Sequence, residues 1–151
     1  MKRFLKSPRV NAVYISIFTA FYTLIFFLSS KNIELKNALY YKEEKSFWSA
    51  WSGFIAAGYH RYIACILVAV TIFIVILLIT HRKPYDEYHT SILIHCLVAA
   101  VALTLAAIAI FYIMILNEPV GIIEKFTLFI VIHWTTVVFA NLIYVLLCSW
   151  R

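Results

Sequence analysis

The stretch SILIHCLVAAVALTLAAIAIFYIMIL, residues 91–116, decides the fold class, because it contains no charged residue, no glycine and no proline. As a helix rising about 1.5 Å per residue it is ~39 Å long, whereas the hydrocarbon core of a bilayer is ~30 Å thick. Its strongly polar groups are confined to His95, Thr104 and the Tyr112 hydroxyl. The stretch is therefore long enough to cross a membrane with some tilt.

Three further apolar stretches resemble it, so the sequence predicts spans at about 11–30, 58–80, 90–116 and 126–148. The 151 residues are 64% hydrophobic and 13% charged, whereas a soluble domain carries about 25% charged residues. Lipid is the solvent that accommodates this excess of apolar surface. The sequence therefore predicts an all-α integral membrane bundle of four transmembrane helices, forming a single domain over residues 1–151 in contact with the lipid bilayer.

The segment before the second span indicates an additional helical piece. A polar stretch at 31–45 is followed by Trp48 and Trp51, and tryptophans beside charged residues are typical of a membrane interface. One helix over 47–80 would be about 50 Å long, which exceeds the hydrocarbon thickness. We therefore expect an interfacial or projecting helical segment here, with Gly53 and Gly58 as bend points. Pro84 predicts a turn that makes the second and third spans antiparallel neighbours.

The distribution of charge predicts orientation rather than nucleic-acid binding. The net charge is +6, but the basic residues cluster before the first span and in the 82–83 turn. The positive-inside rule then places both termini on the cytoplasmic or matrix side of a plasma, inner or organellar inner membrane. Three cysteines, Cys65, Cys96 and Cys148, fall in apolar spans and behave there as small hydrophobic residues.

The acidic residues all fall in predicted loops, which argues against a proton-coupled exporter because such a protein needs a carboxylate inside the membrane. They are Glu34, Glu43, Glu44, Asp86, Glu87, Glu118 and Glu124. Two of them lie near two histidines at the turn after the second span, in the set His81, Asp86, Glu87 and His89. That spacing matches no known ligand pattern, so we interpret the set as a solvated turn rather than a metal site.

The histidines inside the spans carry the most specific hypothesis. In the predicted topology His60 and His133 lie at similar depth near the outer side, where they could ligate a b-type haem from both axial positions. Arg61 could then bind a haem propionate. The fragment at 132–134, Ile-His-Trp, resembles the His-Trp pair on haem-binding helices of membrane cytochromes b. That resemblance implies an electron-transfer subunit, with quinone contact as a further possibility.

The alternative to cofactor binding is that these histidines form structural hydrogen bonds to a neighbouring helix. In that case we expect His133 to point into the bundle, toward the second span or the hydroxyl groups of the first. Small residues on the spans, including Ala102 and Ala106, predict close packing against another helix. The leading prediction is therefore an accessory or structural subunit of a larger membrane complex, associated with other membrane subunits or with copies of itself. A small channel and an immunity-type protein are further alternatives. The sequence leaves enzymatic activity of its own open, with the balance against it, and a place as a subunit of a respiratory-type enzyme complex stays among the alternatives.

Overall fold

The computed structural model describes residues 7–32, 36–40, 46–80 and 86–149. Residues 148 and 149 are described by their backbone only. In this described part, five α-helices with full bounds follow one another: α1 (Pro8–Lys31), α2 (Phe47–Ala56), α3 (His60–Thr80), α4 (Glu87–Asn117) and α5 (Ile122–Ser149). All but α2 are long and apolar enough to cross a membrane. The predicted all-helical membrane bundle is therefore confirmed, and α2 is the expected short helix before the second span.

The helix ends follow from local sequence chemistry. The Ser46 hydroxyl caps α2 by accepting the Ser49 N–H, and the Asp86 carboxylate caps α4 by accepting the His89 N–H. Gly58 and Gly121 have φ values of 74° and 65°, and they stand just before α3 and α5. Glycine adopts this left-handed conformation without steric cost, so it allows the chain to reverse there. Gly58 is thus the predicted bend, whereas Gly53 lies inside α2 and bends nothing.

The long helices pack in the order α1, α3, α5, α4. The expectation that the second and third spans are neighbours is wrong in the described residues, because α4 packs along α5 rather than along α3. The buried face of α3, which includes Ala64, Thr71 and Ile74, is taken by α1 and α5. A short connection permits an antiparallel pair, but the available apolar faces decide which helices pack together.

The centre of the bundle is aromatic. Trp134 of α5 is fully buried, and its ring stacks on Tyr22 with centroids 5.8 Å apart and meets Phe26 edge-on at 5.5 Å. Other core residues come from α1, α3 and α5, among them Ala12, Ile15, Leu67, Ile74, Val138 and Tyr144. These three helices therefore form most of the core, to which α4 contributes Leu93.

Helices α1, α4 and α5 extend beyond the predicted spans, α5 by the largest margin, whereas α3 begins later than its predicted span. The longest helix is α4, which has 31 residues. At about 1.5 Å per residue it is ~46 Å long and exceeds the hydrocarbon core. Ala102 and Ala106 are exposed on it, with Ala106 at the border of a groove between α4 and α5. Leu93 and Ala100 are its buried residues instead. Residues 81–85, which include His81 and Pro84, and the Cys148 side chain lie outside the described part.

Candidate functional site

A row of polar side chains on α1 forms the main polar feature of the bundle interior. Four hydrogen bonds run from α1 to its neighbours, and we call these eight residues the polar ladder. They pair Asn11 with Asn141 (3.4 Å), Thr19 with Thr71 (3.0 Å), Tyr22 with His133 (2.7 Å) and Ser29 with His60 (3.3 Å). The partner helix alternates between α5 and α3 along α1. Such bonds tie helices together where the lipid supplies no partner.

His133 fulfils the expectation that it points into the bundle. Its Nδ1 atom is 2.7 Å from the Tyr22 hydroxyl, and its ring lies edge-on to Phe18 and stacks on Phe129. The partner is therefore on the first span, as one of the two expected directions had it. A half-buried imidazole with one nitrogen bonded in this way serves to join α5 to α1.

His60 stands at the first residue of α3 and is only 1% exposed. Its Nε2 atom is 3.3 Å from the Ser29 hydroxyl, and its ring packs against Phe26 with centroids 5.7 Å apart. Arg61 follows it but is exposed, with its guanidinium 5.4 Å from the centre of the Tyr62 ring. The two neighbouring residues thus face different surroundings.

The arrangement of His60 and His133 does not fit a haem held between them. Each imidazole is bonded to a different side chain of α1. A continuous row of rings, Phe26, Trp134 and Tyr22, connects the two histidines and fills this part of the core. A bis-histidine haem needs both imidazoles to face one flat cofactor. Haem or quinone binding stays a prediction, which an absorption spectrum of the purified protein tests directly.

A second polar cluster lies at the end of the bundle where α5 begins and centres on Glu124, which is 0% exposed. Its Oε1 atom accepts the Tyr40 N–H at 2.7 Å and the Ser52 hydroxyl at 3.3 Å. Its backbone carbonyl accepts the Trp51 indole N–H at 3.0 Å. The expectation that every acidic residue lies in a loop is therefore wrong for Glu124 and for Glu87, which belong to the first turns of α5 and α4.

Lys125 completes this cluster from the other side. Its ammonium group donates to the carbonyl oxygens of Glu118 and Val120 and lies 3.6 Å from a carboxylate oxygen of Glu118. It also lies 6.0 Å from the centre of the Trp48 ring. The cluster, which we call the α5 cap, therefore holds α2 against the first turn of α5 and turns the connection before α5 back on itself.

The order of residues before α5 indicates this cap, although the overall composition does not. Gly121 allows the chain to turn, so a helix can begin at Ile122 and include Glu124 in its first turn. An acidic residue is favourable there because the N-terminus of a helix carries partial positive charge. Sequence reasoning that starts the span at 126 misses this.

The remaining candidates give little chemistry. Asp86 and His89 bond each other at the start of α4, and the described residues contain no group of three or more metal-binding side chains. His81 lies outside the described part. Apolar grooves line the bundle surface, among them one of about 590 Å³ between α1 and α3 and one of about 490 Å³ between α4 and α5. Comparison with known proteins finds no matching family model, no matching curated protein and no matching solved structure.

Proposed function

We propose that this membrane protein is an accessory or structural subunit of a larger membrane complex. The observation that carries the proposal is the exposure of α4. In the part of the chain that the structure describes, α4 packs extensively only against α5, and two of its side chains, Leu93 and Ala100, are buried. A helix held on one side only has a long free surface for a neighbouring subunit.

The composition of that free surface also supports the proposal. Its exposed small residues, Ala99, Ala102, Ala106 and Ala109, recur at intervals of three and four residues, so they share one face. Small residues let two helix backbones approach closely, which is how helices associate in a lipid environment where the hydrophobic effect between them is weak. The face suits a partner helix better than it suits a catalytic role.

The rest of the bundle has the features of a static scaffold. Among the described residues, α3, α4 and α5 contain no glycine or proline, and α1 has only Pro8 at its start. Transporters commonly place broken helices around a central site. The polar ladder and the α5 cap instead fix the helices to one another. In this proposal both termini lie on the cytoplasmic or matrix side, as the positive charge near the N-terminus favours.

The test is the size of the protein after gentle extraction. The full chain is solubilised in a mild detergent and analysed by native electrophoresis and by mass measurement of the particle. We expect a species well above the 17.5 kDa monomer, and we expect Ala106→Leu to dissociate it. Ala69→Leu, at an exposed alanine of α3, is the matched control and should leave it intact. A monodisperse monomer for the unaltered chain would overturn the proposal.

A further inference from the structure

The two edge helices of the bundle, α1 and α4, run in the same direction, because both are antiparallel to α5. For α1 this follows from two pairs of the polar ladder, Asn11 with Asn141 and Tyr22 with His133. For α4 it follows from a groove that is lined by His95 and Ile143 and from the ring contact of Phe111 with Phe129. The two edge helices therefore begin on one side of the membrane and end on the other.

The outward face of α1 borders an open groove that lies between two cations. This α1–α3 groove has a volume of about 590 Å³ and is lined on α1 by Ser16, Ala20 and Thr23 among others. Arg9 and Lys31 are exposed at the two ends of α1. Arg9 lies about two helical turns before Ser16 and Lys31 about three turns after Ala20, so both share the face of the groove. Helix α1 contains no acidic residue.

The outward face of α4, which we call the α4 face, has the opposite electrostatic character. Its exposed small residues are Ala99, Ala102, Ala106 and Ala109. His95 is exposed about one turn before them, and its Nδ1 donates to the Ser91 carbonyl at 2.7 Å, so Nε2 of the neutral ring is an acceptor. No Lys or Arg lies on α4, whereas Glu87 stands in its first turn and Glu118 at its C-cap. One edge of the bundle is thus basic and the other acidic.

Helix α5 shows that polar groups of the two edges lie at similar depth. Asn11, two residues after Arg9, bonds Asn141 of α5. His95 lines a groove together with Ala140, the neighbour of Asn141. Arg9 of α1 and His95 of α4 therefore stand at similar depth on opposite edges of the bundle, one as a hydrogen-bond donor and the other as an acceptor.

We propose that the α4 face of one copy of this protein docks into the α1–α3 groove of a second copy. The inference rests on the proposed function, since it identifies a neighbour for the free surface of α4. In the contact, small residues of both helices meet, and the Arg9 guanidinium of one copy donates to Nε2 of His95 in the other. Small residues allow helices to approach closely in lipid, and the basic and acidic edges favour this pairing over contact between like edges.

The proposed contact is head-to-tail, because it joins two different faces of the same chain. A copy whose groove is occupied still presents its own α4 face to the next copy. Parallel edge helices keep every copy in the same orientation across the membrane, so the contact repeats by rotation about the membrane normal. A closed ring, in which every groove is filled, completes such an assembly.

The test is disulfide cross-linking between full-length copies in membranes, with the three native cysteines replaced by alanine. One copy carries Ala20→Cys in the groove, and a differently tagged copy carries Ala102→Cys or, one turn later, Ala106→Cys on the α4 face. We expect an oxidant to link the two tagged chains, because a disulfide requires Cα atoms within about 7 Å of each other. Pairs of copies with the same substitution are the controls, and no such like pair should give a product.

The donor of the contact has its own matched control. Arg9→Met in the Ala20→Cys copy should lower the yield of the linked product several-fold. Arg61→Met, at an exposed cation that does not line the groove, should leave the yield unchanged. Equal yields with the two variants would contradict the bond between Arg9 and His95.

The outcomes separate this inference from the proposed function. A particle well above the monomer mass that gives no mixed product would overturn the inference and leave the proposed function intact, since a different subunit would then account for the mass. A monomeric particle would overturn both. Linkage of two α4 faces to each other would also contradict the inference, because α4 would then pair with its own counterpart.

Discussion

The helices α1 and α4 are both long and apolar, yet they relate to the rest of the molecule in opposite ways. Polar side chains of α1 form four hydrogen bonds with α3 and α5. On α4 the His95 ring bonds the Ser91 carbonyl of its own helix at 2.7 Å, and no described side chain between 91 and 117 bonds another helix. The difference shows that a polar residue in a membrane helix indicates contact with a neighbouring helix only where that helix has a hydrogen-bonding group at the same depth.

The same comparison shows that apolar character does not report burial in a membrane protein. Of the four long helices, α5 is the most buried and α4 the least. Yet α5 contains the buried polar residues Glu124, Lys125 and Asn141. Lipid solvates an apolar side chain as well as a protein interior does, so burial depends on packing complementarity and polar pairing instead.

The largest difference in the free energy of unfolding is expected between removal of an aromatic ring from the core and removal of one from α4. Trp134→Ala deletes a fully buried side chain packed on Tyr22 and Phe26, and it should lower the free energy of unfolding by about 3–5 kcal/mol. Tyr112→Ala on α4, at a residue that is 62% exposed, should change it by less than about 0.5 kcal/mol. Reversible unfolding in mixed micelles measures both. Equal losses would mean that α4 is as much a part of the core as α5.

Enlarging a small residue should separate folding from assembly. Ala64 is 0% exposed within the core, so Ala64→Leu should overpack it and lower the free energy of unfolding by about 1–3 kcal/mol. Ala106 is exposed, so Ala106→Leu should leave the unfolding of the single chain unchanged while it weakens association. Unfolding of the monomer and native electrophoresis of the same samples give the two readings. A large loss of monomer stability in Ala106→Leu would contradict the exposed position of this face.

A smaller effect is expected for a single hydrogen bond of the polar ladder. Tyr22→Phe removes the hydroxyl that lies 2.7 Å from Nδ1 of His133, and it should lower the free energy of unfolding by about 1 kcal/mol. His133→Ala should cost about 1–2 kcal/mol. Tyr112→Phe, which removes an exposed hydroxyl of α4, is the matched control and should cost nothing measurable. A double-mutant cycle of Tyr22 and His133 that shows no coupling would exclude this bond as a stabilising contact.

The transmembrane helices were predictable because each one depends on the residues of a single continuous stretch of sequence. The uncharged stretch at 91–116 is sufficient for a transmembrane helix, and the tryptophans after the 31–45 segment are sufficient for the short helix α2. The order of the helices was not predictable in this way. The turn after Thr80 predicted that α3 and α4 pack together, but pairing depends on which faces match across the bundle, and that information is distributed over three helices.

For the candidate site, the sequence indicated that His133 points into the bundle, but not how His60 and His133 lie relative to each other. The inward direction of His133 followed from the cost of an unpaired imidazole in hydrocarbon. Its separation from His60 depends on the rings of Tyr22, Phe26 and Trp134, which sequence spacing does not reveal. The burial of Glu124 depends on α2 folding back over α5, a contact between residues more than 70 positions apart.

The smallest expected effect is a pH-dependent loosening of the first turn of α4, which separates this helix from the polar ladder of α1. The His89 backbone N–H and then its side chain bond the Asp86 carboxylate, and these bonds hold the pKa of that carboxyl below its ordinary value of 3.8. A carboxyl with a lowered pKa in the folded state stabilises the fold above its unfolded pKa, and this contribution is lost as the pH falls through the folded value. Acidification below about pH 4 should therefore fray the turn at 87–90 while the polar ladder stays intact. Hydrogen exchange at the His89 and Thr90 amides measures the fraying, and Asp86→Asn, which keeps a capping oxygen without a titrating group, should abolish this pH dependence.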